Sequence, residues 1–253
     1  MKEVANMAND MSYENYMKLK PPTKAISKAY IDFGDSAEDA KKNIQEVKGF
    51  KGVNVCWKGT CMHFLTESIH PDIASPEKPR VMLLFSNPHP DSVCQGLFMS
   101  EKRSRRFWGM LPCSSQLGIN HDFCWNEHSI QETVSSLLNG AYEGPLLFFE
   151  CLYQIPSRSP KDLKKLFERR KDFDSYLHRP SLERIGTILD CYNIKTVLVF
   201  TGETFESITD KPGISQGSRK ILRSAVQEAK GDKEVFWKRM DENELRKKRS
   251  CGI

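Results

Sequence analysis

The stretch VMLLFSNPHPDS, residues 81–92, opens with five apolar residues and then turns abruptly polar. Val81 to Phe85 shows no polar alternation, the pattern of a strand covered on both faces in a parallel sheet. It stops at Ser86-Asn87-Pro88-His89-Pro90, where an amide side chain meets two prolines. Two further runs of the same kind follow, Pro145 to Tyr153 and Thr196 to Phe200. Ahead of the last one, Leu182, Ile185, Ile188, Leu189 and Tyr192 recur at helical spacing and make one apolar stripe. Strand and helix therefore alternate, which predicts a three-layer α/β/α arrangement around a short, mostly parallel central sheet. In such sheets ligands gather at the carboxyl ends of the strands. Ser86-Asn87-Pro88, Gln154-Ile155-Pro156-Ser157-Arg158 and Thr201-Gly202-Glu203 are expected to line one crevice there.

Working outward, residues 1–22 are polar, end in Pro21-Pro22 and read as a flexible N-terminal arm. Residues 23–80 read as a helix and strand extension packed on the core. Within it, Ala37, Ala40, Ile44 and Val47 fit a helix started by Ser36 and Asp39, and Val53, Val55 and Trp57 alternate as a half-buried strand would. Residues 66–80 read as a connecting loop, residues 81–232 as the α/β core and residues 233–253 as a basic C-terminal tail.

At 253 residues and 39% hydrophobic content the chain can bury one substantial core. Lys and Arg outnumber Asp and Glu by 38 to 33, with the surplus gathered in Lys102 to Arg106 and Arg246 to Arg249, which suits a polyanionic partner. The first twenty residues hold Glu3 and Asp10 and no long apolar block, so neither a secretory signal nor a membrane span is expected. The expected location is the cytosol or, in a eukaryote, the nucleus. Eight cysteines are scattered through mostly apolar stretches and read as reduced, buried thiols. Cys56, Cys61 and His63 could share a zinc ion, but no second ligand pair follows; core cysteines around a turn at Lys58-Gly59 are the preferred reading, without metal.

Three segments carry a resemblance. SNPHPDSVCQGLFMSEKRSRRFW, residues 86–108, is similar to the first signature of the uracil-DNA glycosylase superfamily, above all its mismatch-specific uracil/thymine branch. There a GxNPG strand end precedes a TG-aromatic loop and then NRFW. CLYQIPSRSPKDL, residues 151–163, looks like the pyrimidine-reading strand end of other branches, and VLVFTGETFESI, residues 197–208, resembles the strand and glycine opening the last helix pair. The resemblance implies a glycosylase-like fold and a monofunctional DNA glycosylase that hydrolyses the N-glycosidic bond of a flipped, mismatched or modified pyrimidine in double-stranded DNA. The expected activity needs no metal or nucleotide cofactor, no iron-sulfur cluster is expected because the clustered-cysteine signature of the cluster-bearing branches is absent, and a monomer is expected.

Residue by residue, Asn87 would orient the attacking water while an oxocarbenium-like sugar forms. Ser86, Pro88 and Gln154 would touch the substrate, and Leu97 or Phe98 would stack on the base or else belong to the core. Phe107 and Trp108 would pack inward, leaving Arg103, Arg105, Arg106 and Arg158 for phosphates. Four departures accompany this pattern. Phe85 and His89 replace glycines, and His89 could serve the leaving base. Glu150 stands near the place of a base-reading Asn; a carboxylate suits an exocyclic amine such as cytosine N4, or else pairs with an arginine. The last signature has no good copy, Lys211-Pro212-Gly213-Ile214-Ser215 being the nearest, with Lys211 and Ser215 as DNA contacts. The alternatives are a catalytically inactive DNA-binding protein on the same scaffold and an α/β protein for small nucleotides or sugars.

Overall fold

The computed structural model describes residues 11–72, 77–101, 104–111, 117–119 and 130–209. The chain divides into two compact units, Met1–Thr204 and Phe205–Ile253. Of the second, only residues 205–209 are described, as the end of a helix.

The fold is mixed α/β. Three apolar runs form strands β4 (Arg80–Phe85), β5 (Leu146–Cys151) and β6 (Thr196–Val199), all parallel, in the order β5-β4-β6. Strands β4 and β5 are buried almost throughout, as unbroken apolar sequence requires. Strand β6 departs from that expectation: Thr196 is exposed and Val197 to Val199 are half-buried, because among the described residues this strand pairs only with β4.

Alternation along the strands sorts side chains between two faces. Val81, Leu83, Phe85, Leu147, Phe149 and Cys151 share one core cluster with Trp108 and Leu111 and with Val134 and Leu137. Trp108 comes from helix α4 (Arg106–Met110), and Val134 and Leu137 from α5 (Ile130–Asn139). Each fully buried Leu or Phe here contributes about 1.5–3 kcal/mol relative to exposure. On the opposite face Phe148 meets Tyr192 at 4.9 Å between ring centroids. That tyrosine ends α8 (Arg179–Cys191), the helix whose apolar stripe is plain in the sequence.

Ahead of this sheet lies a second one, antiparallel, with order β1-β3-β2: β1 (Ile26–Asp32), β2 (Val55–Lys58) and β3 (Cys61–Glu67). Gly59, at φ +63°, makes the left-handed turn between β2 and β3 that a side chain would strain. Helix α2 (Ala37–Glu46) buries Ala37, Ala40 and Ile44, the expected face. Two stretches are more ordered than their sequence suggests. Tyr13–Lys18, inside the expected loose arm, forms α1, and buried Tyr16 donates its hydroxyl to Phe64 O at 2.7 Å. The expected loop at 66–80 begins late: β3 runs to Glu67, and Ile69 exchanges two backbone hydrogen bonds of 2.9 Å with Phe149. This isolated antiparallel bridge joins the chain leaving the antiparallel sheet to the side of β5 away from β4. Among the described residues no helix is long and apolar enough to cross a membrane.

Candidate active site at the strand ends

Asn87 follows β4, the central strand of the parallel sheet, and is half-buried. Its Nδ2 donates to Pro88 O at 3.0 Å, Ser157 O at 2.7 Å and Ser157 Oγ at 3.0 Å. Two of these acceptors are carbonyls, which fixes the amide: the nitrogen faces Ser157 and Oδ1 faces away. Ser86 Oγ donates to Oδ1 at 3.2 Å. Backbone pairing continues past the strands, with Tyr153 N donating to Ser86 O at 2.9 Å and Ser157 N to buried Pro88 O at 3.0 Å. The ends of β4 and β5 are thus fastened together. Between β4 and β6 the corresponding contact is Phe200 N to Leu84 O at 3.3 Å, after which Thr201 caps helix α9 (Gly202–Thr209) by accepting from Thr204 N.

His89 has a local task. It precedes α3 (Pro90–Gln95), and its Nδ1 accepts from Asp91 N at 3.3 Å as an N-cap. Beside this turn a cleft of about 260 Å³ is lined by Lys20, Asn54, Pro90, Val93, Cys94 and Pro156.

The expected base-stacking residues lie elsewhere. Leu97 and Phe98 are 0% and 1% exposed and belong to the core. Gly96 ends α3 at φ +93°, where an added Cβ would stand 2.6 Å from Thr23, and the chain reverses inward from that turn. Trp108 Nε1 then donates to Phe98 O at 2.8 Å, and Trp108 is buried as anticipated, with Phe107 half-buried beside it.

Glu150 does not face an open base pocket either. At 2% exposure it accepts from Arg184 Nη1 at 2.7 Å and meets His70 Nε2 at 2.7 Å. Arg184 also donates to the carbonyls of Cys151 and Leu152. The arginine-pairing reading of this carboxylate holds, and cytosine recognition by it does not, since Oε2 is engaged by Arg184 of α8 and Oε1 by His70 in the segment after β3. Gln154 is half-buried and lines a separate cleft of about 260 Å³ with Tyr30, Asp32, Tyr176 and Arg184.

Of the basic residues, Arg105 donates Nε to Ser100 O at 2.9 Å, and Arg158 is exposed next to the Asn87 anchor. Arg103, Lys211, Ser215 and the side chain of Arg106 lie outside the described residues, as does the 233–253 tail.

The Cys56, Cys61 and His63 group is a hairpin. Cys56 and His63 are cross-strand partners, and the imidazole packs among Tyr13, Tyr16 and Tyr30 at 5.0, 5.7 and 5.6 Å. Burial, helped by the charge of Lys58, pulls the His63 pKa down. Among the described residues no three His, Cys, Asp or Glu side chains stand close enough to hold a metal ion.

Two residues within the expected strand ends, not singled out individually from the sequence, matter here. Ser157 anchors Asn87, and Phe200, 45% exposed at the end of β6, is an open aromatic ring at the same end of the sheet. No protein-family model matches the chain, and comparison with curated proteins and with solved structures finds no match.

Proposed function

We propose that the chain is a monofunctional DNA glycosylase with a three-layer, uracil-DNA glycosylase-like core, releasing a mismatched or modified pyrimidine from double-stranded DNA by water attack. One observation carries the reading. At the carboxyl end of the central parallel strand an amide is immobilised through its nitrogen, which leaves Oδ1 as a rigid acceptor. A water donating to that oxygen is held for attack on a sugar carbon without a strong base, because the oxocarbenium-like transition state needs little nucleophilic push. Ser86 completes the turn, and Arg158, with the basic residues between Lys102 and Arg106, supplies positive charge for phosphates. The reaction uses a side-chain amide and water, with no metal or nucleotide cofactor, in the cytosol or nucleus.

The test is incubation of the full chain with duplexes carrying uracil, mismatched thymine or modified cytosines, followed by mass spectrometry of released bases. Release by the native chain is expected, with a loss of about a hundredfold or more in Asn87→Ala. Intact duplexes throughout, or equal rates for both proteins, defeat the proposal.

A second reading, a DNA-binding protein without catalysis, is favoured by the burial of Leu97 and Phe98 and the engagement of Glu150. It predicts salt-sensitive duplex binding that survives Asn87→Ala with no base released.

A further inference from the structure

Four aromatic rings form a ladder across the parallel sheet. Trp108 stacks on Phe149 at 5.5 Å and 23°, Phe149 on Phe85 at 6.3 Å and 13°, and Phe85 on Phe200 at 4.7 Å and 10°. The first three are 0–5% exposed, whereas Phe200 is 45% exposed. Phe107 meets Phe200 edge-on at 5.7 Å and 78°. One face of Phe200 is therefore covered by Phe85 and its rim is braced by Phe107, so the open area belongs to the opposite face. Among the described rings the ladder ends in the flat π surface of Phe200, held by Phe85 and Phe107.

Its position narrows what that surface receives. Phe200 N donates to Leu84 O, three residues before Asn87, a chain distance of at most about 10 Å. Both residues follow adjacent parallel strands at their carboxyl ends. The Asn87 nitrogen is bound on the β5 side, which turns Oδ1 away from that side. A flat ring laid on Phe200 would continue the ladder outward from β6, at the same end of the sheet as Asn87. We infer that Phe200 is the stacking platform for the extruded pyrimidine, the role that Leu97 and Phe98, being buried, cannot fill; this rests on the glycosylase reading.

The experiment compares wild type, Phe200→Ala, Phe200→Leu and Phe200→Trp. Affinity is measured by anisotropy for a duplex with one mispaired pyrrolocytosine and for the same duplex with a tetrahydrofuran abasic site instead. Stacking predicts that the Ala and Leu variants lose about tenfold in affinity for the pyrrolocytosine duplex. Phe200→Trp retains the affinity, and all four bind the abasic duplex equally. Leu keeps apolar packing on Phe85 without offering a π face, so the Leu and Trp pair decides the matter even if Ala unfolds. Equal binding of the pyrrolocytosine duplex by all variants overturns the platform; Asn87-dependent base release would then still uphold the glycosylase. Ring-dependent binding with no base released from any duplex supports the platform and sinks the glycosylase.

Discussion

Asn87 is held by what its nitrogen can do and an oxygen cannot. Pro88 O and Ser157 O only accept hydrogen bonds, and both receive one from Nδ2. Asn87→Asp would set a carboxylate oxygen against two carbonyls, and the cost of the unmet groups is about 1–3 kcal/mol. A lowered thermal midpoint, read by circular dichroism at neutral pH, is expected; an unchanged midpoint would show that the clamp is weak. Glu67 makes the opposite case, a carboxyl group with nothing to hold its charge. It is 3% exposed, Oε2 has no hydrogen-bond partner, and burial pushes its pKa well above the usual carboxylate range. In the unfolded chain the group ionises at its ordinary pKa, so the fold binds the extra proton above that pH. Its contribution is therefore complete below the ordinary pKa and is lost as pH rises toward the folded value, with a slope approaching about 1.4 kcal/mol per pH unit. Glu67→Gln should flatten urea-derived stability against pH over this window and make the protein more stable than wild type at neutral pH. A wild-type profile without this decline would count against a buried neutral acid.

At the scale of elements, the strands of the parallel sheet were legible because burial on both faces leaves no room for polar alternation, and the α8 stripe because one helical face must meet the core. What was not legible depends on partners far along the chain. Glu150 sits in an apolar run, and its sequence does not say that His70, 80 residues earlier, and Arg184, 34 residues later, converge on it. Leu97 and Phe98 are apolar in a loop, which fits a base plate as well as a core; the left-handed turn at Gly96 sends them inward. Tyr16 reads as part of a polar arm until Phe64 O is found for its hydroxyl. The Glu150 pairing has a measurable consequence. Arg184→Met removes one of two partners from a nearly inaccessible carboxylate and should cost about 3 kcal/mol by urea unfolding. Adding Glu150→Leu should recover much of that loss, since an apolar pair leaves no charge stranded. Failure of the double variant to recover would mean that Arg184 acts chiefly through the Cys151 and Leu152 carbonyls.

Across the whole molecule, the question is whether two sheets of different kinds fold as one body. The antiparallel sheet does not sit apart: the chain leaving β3 pairs with β5 through Ile69 and Phe149, and Ala25, just ahead of β1, lies in the same apolar cluster as Trp108. This union bears on the strand-end site, because β5 leads into the Ser157 loop and is held on its outer edge at Phe149 by the Ile69 bridge. Two tryptophans report on the two sheets, Trp57 in β2 and Trp108 on α4. Variants keeping only one of them, with the other tryptophans replaced by phenylalanine, should give superimposable urea transitions. Ile69→Pro deletes the amide that Phe149 O requires and should move both transitions to lower urea by the same amount. If the Trp57 signal alone shifts, the antiparallel sheet unfolds independently, and the bracing of the Asn87 site must come from the helices instead.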